Sequence, residues 1–184
     1  MLLEDLLSTG VSPSSLLDIG GGVGALQHEL FKRGLERAVH VDAARAYLDI
    51  SREEAEQRGT AERVRYVHGD FVDLADDIEP ASIVTLDRVV CCYHDAEAML
   101  DRAAERADAL CGLVYPRNAW WTRAIGTGIN VVSRLRRSPF RFFVHATHEL
   151  DAVVRARGLI RRSRRTTFIW QVVVYERSSP GAAT

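Results

Sequence analysis

Four short apolar segments in the first half of the chain each contain or precede an aspartate, and helix-like patterns separate them. The segments are Ser15–Ile19, Ala38–Val41, Val64–His68 and Ser82–Leu86, and the acids are Asp18, Asp42, Asp70 and Asp87. This alternation predicts βα units in a parallel sheet. Because ligands of such a sheet bind outside the carboxyl ends of its strands, four acids at that edge predict a binding site.

The remaining patterns complete one α/β domain over residues 1–177. A fifth strand is expected at Cys111–Tyr115, and alternation predicts a last strand at Thr167–Tyr175, paired with Leu159–Arg165. Helical spacing predicts helices over residues 25–33, 44–58, 95–107, 120–136 and 149–157. Residues 178–184 read SSPGAAT and are expected to form a disordered tail.

Charge is distributed unevenly, although the net charge of the 184 residues is only −1. From Arg117 to Arg177, thirteen arginines accompany three acids. A basic region can bind an acidic substrate, a nucleic acid or an anionic membrane surface. Arginines that only solvate helix faces and an edge strand are the favoured explanation, because no basic run interleaved with aromatic residues points to nucleic acid.

The sequence also predicts the compartment and the chemistry of its thiols. No segment reaches the ~20 apolar residues that cross a bilayer, and the acidic start MLLEDLLSTG does not resemble a signal peptide. We therefore expect a cytoplasmic protein with no membrane span. Cys91, Cys92 and Cys111 lack the spacing of a zinc site or a disulfide framework, so no metal is expected.

A glycine-rich loop follows the first strand: Gly20-Gly21-Gly22-Val23-Gly24-Ala25. Such a loop lets the backbone approach a ligand at the start of a helix. It also satisfies the dinucleotide pattern G-x-G-x-x-A, which leaves an NAD(P)-dependent oxidoreductase as an alternative. Asp18 argues against a pyrophosphate and suits a ligand with an ammonium and a sulfonium group. Asp70 beside Phe71 suits an adenine, as an acceptor for its amine and an apolar neighbour.

Together these segments resemble the class I S-adenosylmethionine-dependent methyltransferases, from about residue 16 to residue 175. The matching segments are Leu16–Gly24 for the D-x-G-x-G-x-G loop, Val39–Asp42 for the second-strand acid, His68–Phe71 for the G-D segment and Ile83–Val90 for the fourth-strand motif. The resemblance implies a Rossmann-like three-layer sandwich. Its mostly parallel seven-stranded sheet has the order 3-2-1-4-5-7-6 and an antiparallel last strand.

The resemblance further implies that S-adenosyl-L-methionine is the cofactor and that its methyl group passes to a small molecule by direct in-line displacement. The implied cofactor-binding residues are Asp18, Gly20, Gly21, Gly22, Gly24, Asp42, Ala43, Asp70, Phe71 and Asp87. Among these, Asp42 corresponds to the ribose contact and Asp87 to the position beside the transferring methyl. Members that modify nucleic-acid bases often carry N/D-P-P-[YFW] here. Asp87–Val90 stands in its place, so no nucleic-acid partner is expected.

One departure from the family supports a second hypothesis. Family members usually carry more helix ahead of the glycine strand, whereas only Met1–Gly10 precedes the first turn. Either the cover over the cofactor is short, or a partner or a missing segment supplies it, and a short cover would expose the reaction to water. A non-catalytic binding or scaffold domain of the same fold is therefore the main alternative.

The segment after the fourth strand faces the acceptor in this family. His94 is a candidate base, because histidine titrates near neutrality, although a helix cap formed by His94 and Asp95 is the favoured explanation. Tyr93 is a second catalytic candidate and would equally suit a pocket wall. His145 and His148 fall in or near the loop before the last helix, where core or surface positions are favoured over metal binding.

Aromatic and basic residues in segments 115–121 and 139–145 loosely resemble those of small-molecule O-methyltransferases, including enzymes that methylate tetrapyrrole carboxyl groups. They suggest an acidic or aromatic acceptor. Trp120 and Trp121 open an amphipathic helix, and at least one of them is expected to pack against the protein.

Overall fold

A computed structural model describes residues 1–178, and all seven strands of this part lie in one sheet. The strands are β1 (Ser15–Ile19), β2 (Arg37–Asp42), β3 (Val64–His68), β4 (Ala81–Asp87), β5 (Ala107–Pro116), β6 (Leu159–Thr166) and β7 (Trp170–Arg177). Their order is β3-β2-β1-β4-β5-β7-β6. Strands β1 to β5 run parallel, and β7 is antiparallel to both β5 and β6. The predicted order and the antiparallel last strand are confirmed.

Seven α-helices cover the two faces of the sheet in the described part of the chain. They are α1 (Leu2–Leu7), α2 (Ala25–Phe31), α3 (Arg45–Gln57), α4 (Phe71–Leu74), α5 (Ala96–Glu105), α6 (Trp120–Leu135) and α7 (Thr147–Ala156). None of them is long and apolar enough to cross a membrane.

The alternation of side chains along each strand divides the core into two layers. Leu17 and Ile19 join a cluster with residues of α4, α5 and α7. Leu16 joins a second cluster with residues of α1 and α2 on the opposite face. Because every second residue of a strand points the same way, Asp18 shares the face of Leu16.

Two strands begin three or more residues away from the start that the sequence predicts. The fifth strand begins at Ala107, not Cys111, because its first residues pair with the start of β4 although alanine and leucine also favour a helix. The last strand begins at Trp170, because Thr167 closes the β6–β7 turn: its N–H donates to the carbonyl of Trp170 (2.8 Å). Beyond Ser178, the predicted tail lies outside the described residues.

The first helix was not expected from the sequence, and it packs against the sheet at a glycine of β5. Leu2 and Leu6 of α1 are buried there. A Cβ atom on Gly112 would lie 2.8 Å from Cδ1 of Leu2 and 3.2 Å from Cδ2 of Leu6. The absence of a side chain at Gly112 therefore allows α1 to pack directly on the strand.

Helix α6 packs in an unusual orientation. Its buried residues are Thr122, Gly126 and Ser133, all small or polar, whereas Trp120 at its start is 77% exposed. Trp121 stacks on Phe168 with 5.8 Å between the ring centroids. Of the two tryptophans, Trp121 packs against the protein and Trp120 does not.

Replacing Leu6 with alanine is expected to lower the free energy of unfolding by about 2–4 kcal/mol, because the side chain is 1% exposed and leaves a cavity. Leu135→Ala is the matched control: the same change at a 79% exposed position is expected to cost less than about 0.5 kcal/mol. Urea denaturation followed by circular dichroism measures both values. Equal losses would contradict the packing of α1 on the sheet.

Candidate functional site

The glycine loop between β1 and α2 has a backbone that few other residues could adopt. Gly20, Gly22 and Gly24 have φ values of 62°, 58° and 78°, which L side chains rarely take. A Cβ atom on Gly20 would lie 2.5 Å from Cγ2 of Val89, in the segment that follows β4. Nothing lies within 4 Å of a Cβ built on Gly22. The loop is thus packed at Gly20 and open at Gly22, where a ligand can approach the backbone.

Asp42 fixes this loop to the end of β2. Its Oδ2 accepts from the N–H of Gly22 (3.1 Å) and its Oδ1 from the N–H of Ala44 (2.7 Å). The N–H of Gly20 donates to the carbonyl of Val41 (2.7 Å). Asp42 is therefore a buried structural acceptor at the same place where the sequence predicts a ribose contact. Ala43 follows it and is exposed.

Asp18 is the most perturbed carboxyl group of the site. The residue is 1% exposed, its Oδ1 accepts from Oγ1 of Thr85 (2.7 Å), and its Oδ2 has no hydrogen-bond partner. Burial raises its pKa to about 7, with smaller contributions from Asp87 and Asp42. A Cβ on Gly21 would collide with this carboxylate. The loop therefore passes directly over an acid that is poorly solvated and only partly hydrogen-bonded.

A buried polar network lies beside Asp18, and sequence reasoning missed it. His40 pairs with Asp18 across the β1–β2 ladder, and burial lowers its pKa to about 4. Its Nδ1 lies 3.2 Å from Oε1 of Gln27 and 3.3 Å from Oγ of Ser51. Nε2 of Gln27 donates to the same Ser51 oxygen (2.9 Å). The network ties β2, α2 and α3 together beneath the glycine loop.

Asp70 lies just beyond β3 and holds two neighbours. Its Oδ1 caps α4 by accepting from the N–H of Val72 (2.9 Å), and its Oδ2 accepts from the hydroxyl of Tyr93 (2.8 Å). Burial, followed by the hydrogen bond to Asp70, raises the pKa of Tyr93 to about 12. Phe71 is 3% exposed, and its ring belongs to the core on the α5 side. The ring of Phe71 is therefore turned into the core, and mainly its backbone is available to a ligand.

The end of β4 carries a strained residue. Arg88 has φ 60°, in a region that non-glycine residues rarely occupy. Its N–H donates to the carbonyl of Val114 in β5 (2.9 Å), and its Nε donates to Oδ1 of Asp87 (3.0 Å). This turn directs Val89 onto Gly20, so strand β4 and the glycine loop support each other at the carboxyl edge.

The segment after β4 is joined to the loop before α7. Nε2 of His145 lies 3.1 Å from the carbonyl of Val90 and 3.2 Å from that of Tyr93. The N–H of Phe143 donates to the carbonyl of Cys91 (2.7 Å). His145 thus has a structural role here, in agreement with the explanation favoured for it.

His94 is exposed and lines a cavity of about 320 Å³ together with His145 and Glu149. Asp95, not His94, caps α5: its Oδ1 accepts from the N–H of Ala98 (3.0 Å). The capping explanation is therefore correct for Asp95 and leaves the imidazole of His94 facing solvent. In residues 1–178, no group of His, Cys, Asp and Glu side chains is arranged to hold a metal ion.

A second cavity, of about 400 Å³, lies at the start of α7 and is strongly basic. Its lining residues are Arg117, Asn118, Ala119, Thr147, His148, Asp151, Arg161 and Arg164. A β-bulge between Arg161 and Ser163 shifts the register, so Arg161 and Arg164 face the same side of β6. Arg161 pairs with Asp151 (3.3 Å), whereas Arg164 donates to the side-chain oxygen of Gln171 (3.1 Å).

Comparison with models of known protein families shows which family the chain belongs to. A family model described as a methyltransferase domain matches residues 16–110, which include the glycine loop and all four strand-end acids. The chain belongs to the methyltransferase domain family. A sequence comparison with curated proteins gave no match.

Solved structures show the same fold over nearly the whole chain. The magnesium protoporphyrin IX methyltransferase of Synechocystis, crystallised with S-adenosylhomocysteine, is 18% identical with a TM-score of 0.75, covering 96% of this chain and 80% of that one. A geranyl diphosphate methyltransferase in complex with S-adenosylmethionine is 13% identical with a TM-score of 0.76, covering 96% and 83%. The resemblance to class I methyltransferases inferred from the motifs is confirmed, and the oxidoreductase alternative loses its support.

Asp18→Asn tests the buried carboxyl group. The pKa of Asp18 is about 7 in the folded chain and 3.8 in the reference state. The folded chain therefore holds an extra proton between these values, and stability falls as the pH rises through the window. The asparagine variant lacks this titration. Its stability relative to the wild type is expected to grow with pH by up to about 1.4 kcal/mol per pH unit.

Urea titrations of the ligand-free proteins across this window measure the difference. His28 and His40 have lowered pKa values and titrate with the opposite sign, and both histidines are present in the two proteins. A stability difference that stays constant with pH would show that Asp18 titrates as an exposed aspartate does.

Proposed function

We propose that this methyltransferase domain transfers the methyl group of S-adenosyl-L-methionine to a small molecule by in-line displacement. The observation that carries the proposal is the glycine loop, which is open at Gly22 and lies over the buried, unpaired carboxylate oxygen of Asp18. When bound, the cofactor supplies an electrophilic methyl on its sulfonium. An acceptor held in line would form its bond to this carbon as the carbon–sulfur bond breaks, and the electron pair of that bond would stay on sulfur.

In this proposal the residues of the chain mainly bind and orient the cofactor and the acceptor. The glycine loop and Asp18 would lie at the charged end of the cofactor, Asp42 at its ribose and Asp70 at its adenine. Each oxygen of Asp42 and Asp70 accepts one hydrogen bond in the free chain and retains capacity for another. Asp87 lies at the end of β4, where the acceptor and the methyl group would meet.

A hydroxyl or phenol acceptor also needs a base, and we assign this role to His94. Its imidazole is exposed in the segment that follows β4. It does not cap α5, because Asp95 does. Tyr93 is poorly suited, because its raised pKa keeps the phenol protonated and its proton is donated to Asp70. Tyr93 would instead position Asp70 against the cofactor.

For the acceptor we propose an acidic group, held in the arginine-lined cavity at the start of α7. Arg117 and Arg164 lie there with the N-terminal N–H groups of that helix, a combination that favours anions. Asp151 neutralises only part of this charge, since it pairs with Arg161 and Arg155.

A cytoplasmic location remains a prediction, and the free thiols of the three cysteines agree with a reducing compartment.

Calorimetric titration with S-adenosylmethionine and S-adenosylhomocysteine tests the cofactor site. Wild type is expected to bind both, and Gly22→Asp to bind at least about tenfold more weakly, because the new carboxylate enters the open side of the loop. Gly59→Asp is the matched control, since Gly59 also has a positive φ (67°) and open space around it. Binding lost equally in both variants would point to backbone strain, and no binding by folded wild type would favour the scaffold hypothesis.

The acceptor proposal is tested with aromatic acids, each paired with its neutral amide, by measuring the S-adenosylhomocysteine released. Acids are expected to react faster, and Arg164→Gln to reduce this preference about tenfold or more, because a charge-assisted hydrogen bond is lost. Arg162→Gln is the control on the same strand, where Arg162 pairs with Glu176 outside the cavity. Turnover of the amides alone would contradict an acidic acceptor.

A further inference from the structure

Helix α6 presents a continuous apolar face to solvent. Trp120, Val131 and Leu135 fall within about one-sixth of a turn on a helical projection, and they are 77%, 54% and 79% exposed. Ile125 and Val132 widen the same face and are also exposed. A helix of a globular protein normally turns its apolar face to the core. In α6 the opposite face, with small and polar residues, packs against the protein, and Trp121 in the first turn is the residue of the apolar side that stacks on Phe168.

This orientation is fixed by specific contacts. The side-chain amide of Asn130 donates to the carbonyl of Phe142 (2.8 Å) and accepts from its N–H (2.7 Å). A Cβ on Gly126 would lie 2.8 Å from the ring of Phe142, so the helix sits directly on that residue. Trp121 donates from its indole N–H to the carbonyl of Phe168 (3.2 Å). The exposed apolar face therefore belongs to the fold.

The charged side chains of α6 and of the loop that follows it all have the same sign. No aspartate or glutamate occurs between Asp108 and Glu149. Over the same stretch the helix and its C-terminal loop carry the exposed or half-buried arginines Arg123, Arg134, Arg136, Arg137 and Arg141. Along the helix, Arg123 and Arg134 border one side of the apolar face, and Arg136 borders the other.

We propose that α6 lies in the headgroup layer of an anionic membrane, with its apolar face toward the acyl chains. An apolar stripe flanked by arginines, with a tryptophan at one end, is the pattern of helices that bind in the plane of such an interface. Each arginine near an anionic surface strengthens the attraction. A second copy of the chain is disfavoured as the occupant, because a symmetric contact would bring two sets of arginines together without acids. The proposal concerns peripheral binding and is independent of methyl transfer.

Co-sedimentation with vesicles tests this inference. Wild type is expected to bind vesicles of phosphatidylcholine and phosphatidylglycerol, to bind pure phosphatidylcholine much more weakly, and to be released by salt. Leu135→Ser is expected to weaken binding about tenfold or more, because buried methylene groups are lost. Arg134→Glu with Arg136→Glu is expected to abolish the preference for the anionic lipid.

Two variants outside α6 are the controls. Ile160→Ser removes an exposed apolar residue of β6, 50% exposed, and Arg45→Glu reverses an exposed arginine at the start of α3. Both are expected to bind vesicles as wild type does. Circular dichroism and S-adenosylmethionine titration of every variant separate a loss of folding or of the cofactor site from a loss of lipid binding.

The fluorescence of Trp120 gives an independent readout, since the side chain would leave water on binding. A blue shift with anionic vesicles that is lost in Trp120→Phe would support insertion of the apolar face. Equal binding by wild type and Leu135→Ser would overturn the proposal. A second result would also overturn it: wild type forms a dimer in sedimentation velocity and does not bind vesicles, and Leu135→Ser is a monomer. That result would assign the face to self-association.

Discussion

The carboxylate of Asp42 joins three elements at the carboxyl edge of the sheet, and the binding edge depends on it. One oxygen holds the glycine loop at Gly22, and the other holds the start of α3 at Ala44. Both amides belong to backbone that would otherwise be free to move, and the loop contains three glycines at positive φ. Because one buried residue orders both, the edge is largely formed before any ligand arrives.

The electrostatics beneath the loop follow from desolvation more than from pairing. Asp18 and His40 are neighbours on adjacent strands, and burial shifts their pKa values in opposite directions, each toward its neutral form. Burial thus favours the uncharged form of both groups and opposes an ion pair between them. A cationic ligand beside Asp18 would restore its charge, so binding and proton release would be linked.

Local signals predicted the strand-end acids and the glycine loop, because parallel strands bring their carboxyl ends to one edge whatever the loops between them do. The strand order came from resemblance to a family. Contacts between distant positions were not predictable: Tyr93 on Asp70, and Gln27 and Ser51 on His40, are chosen by packing and leave no periodic pattern. The early start of β5 at Ala107 was missed because alanine and leucine suit either structure. The register shift on β6, which places Arg161 and Arg164 on one side, had no sequence signal.

Helix α6 is joined to the rest of the fold through small residues and through Asn130, Trp121 and Phe142, while the two core clusters contain none of its residues. Substitutions on its outer face therefore leave the packing of the sheet unchanged. Such a segment can diverge quickly during evolution, since selection for stability constrains it little. Helix α6 can therefore acquire new binding preferences through substitutions of its outer residues, while the sheet and its strand-end acids stay the same.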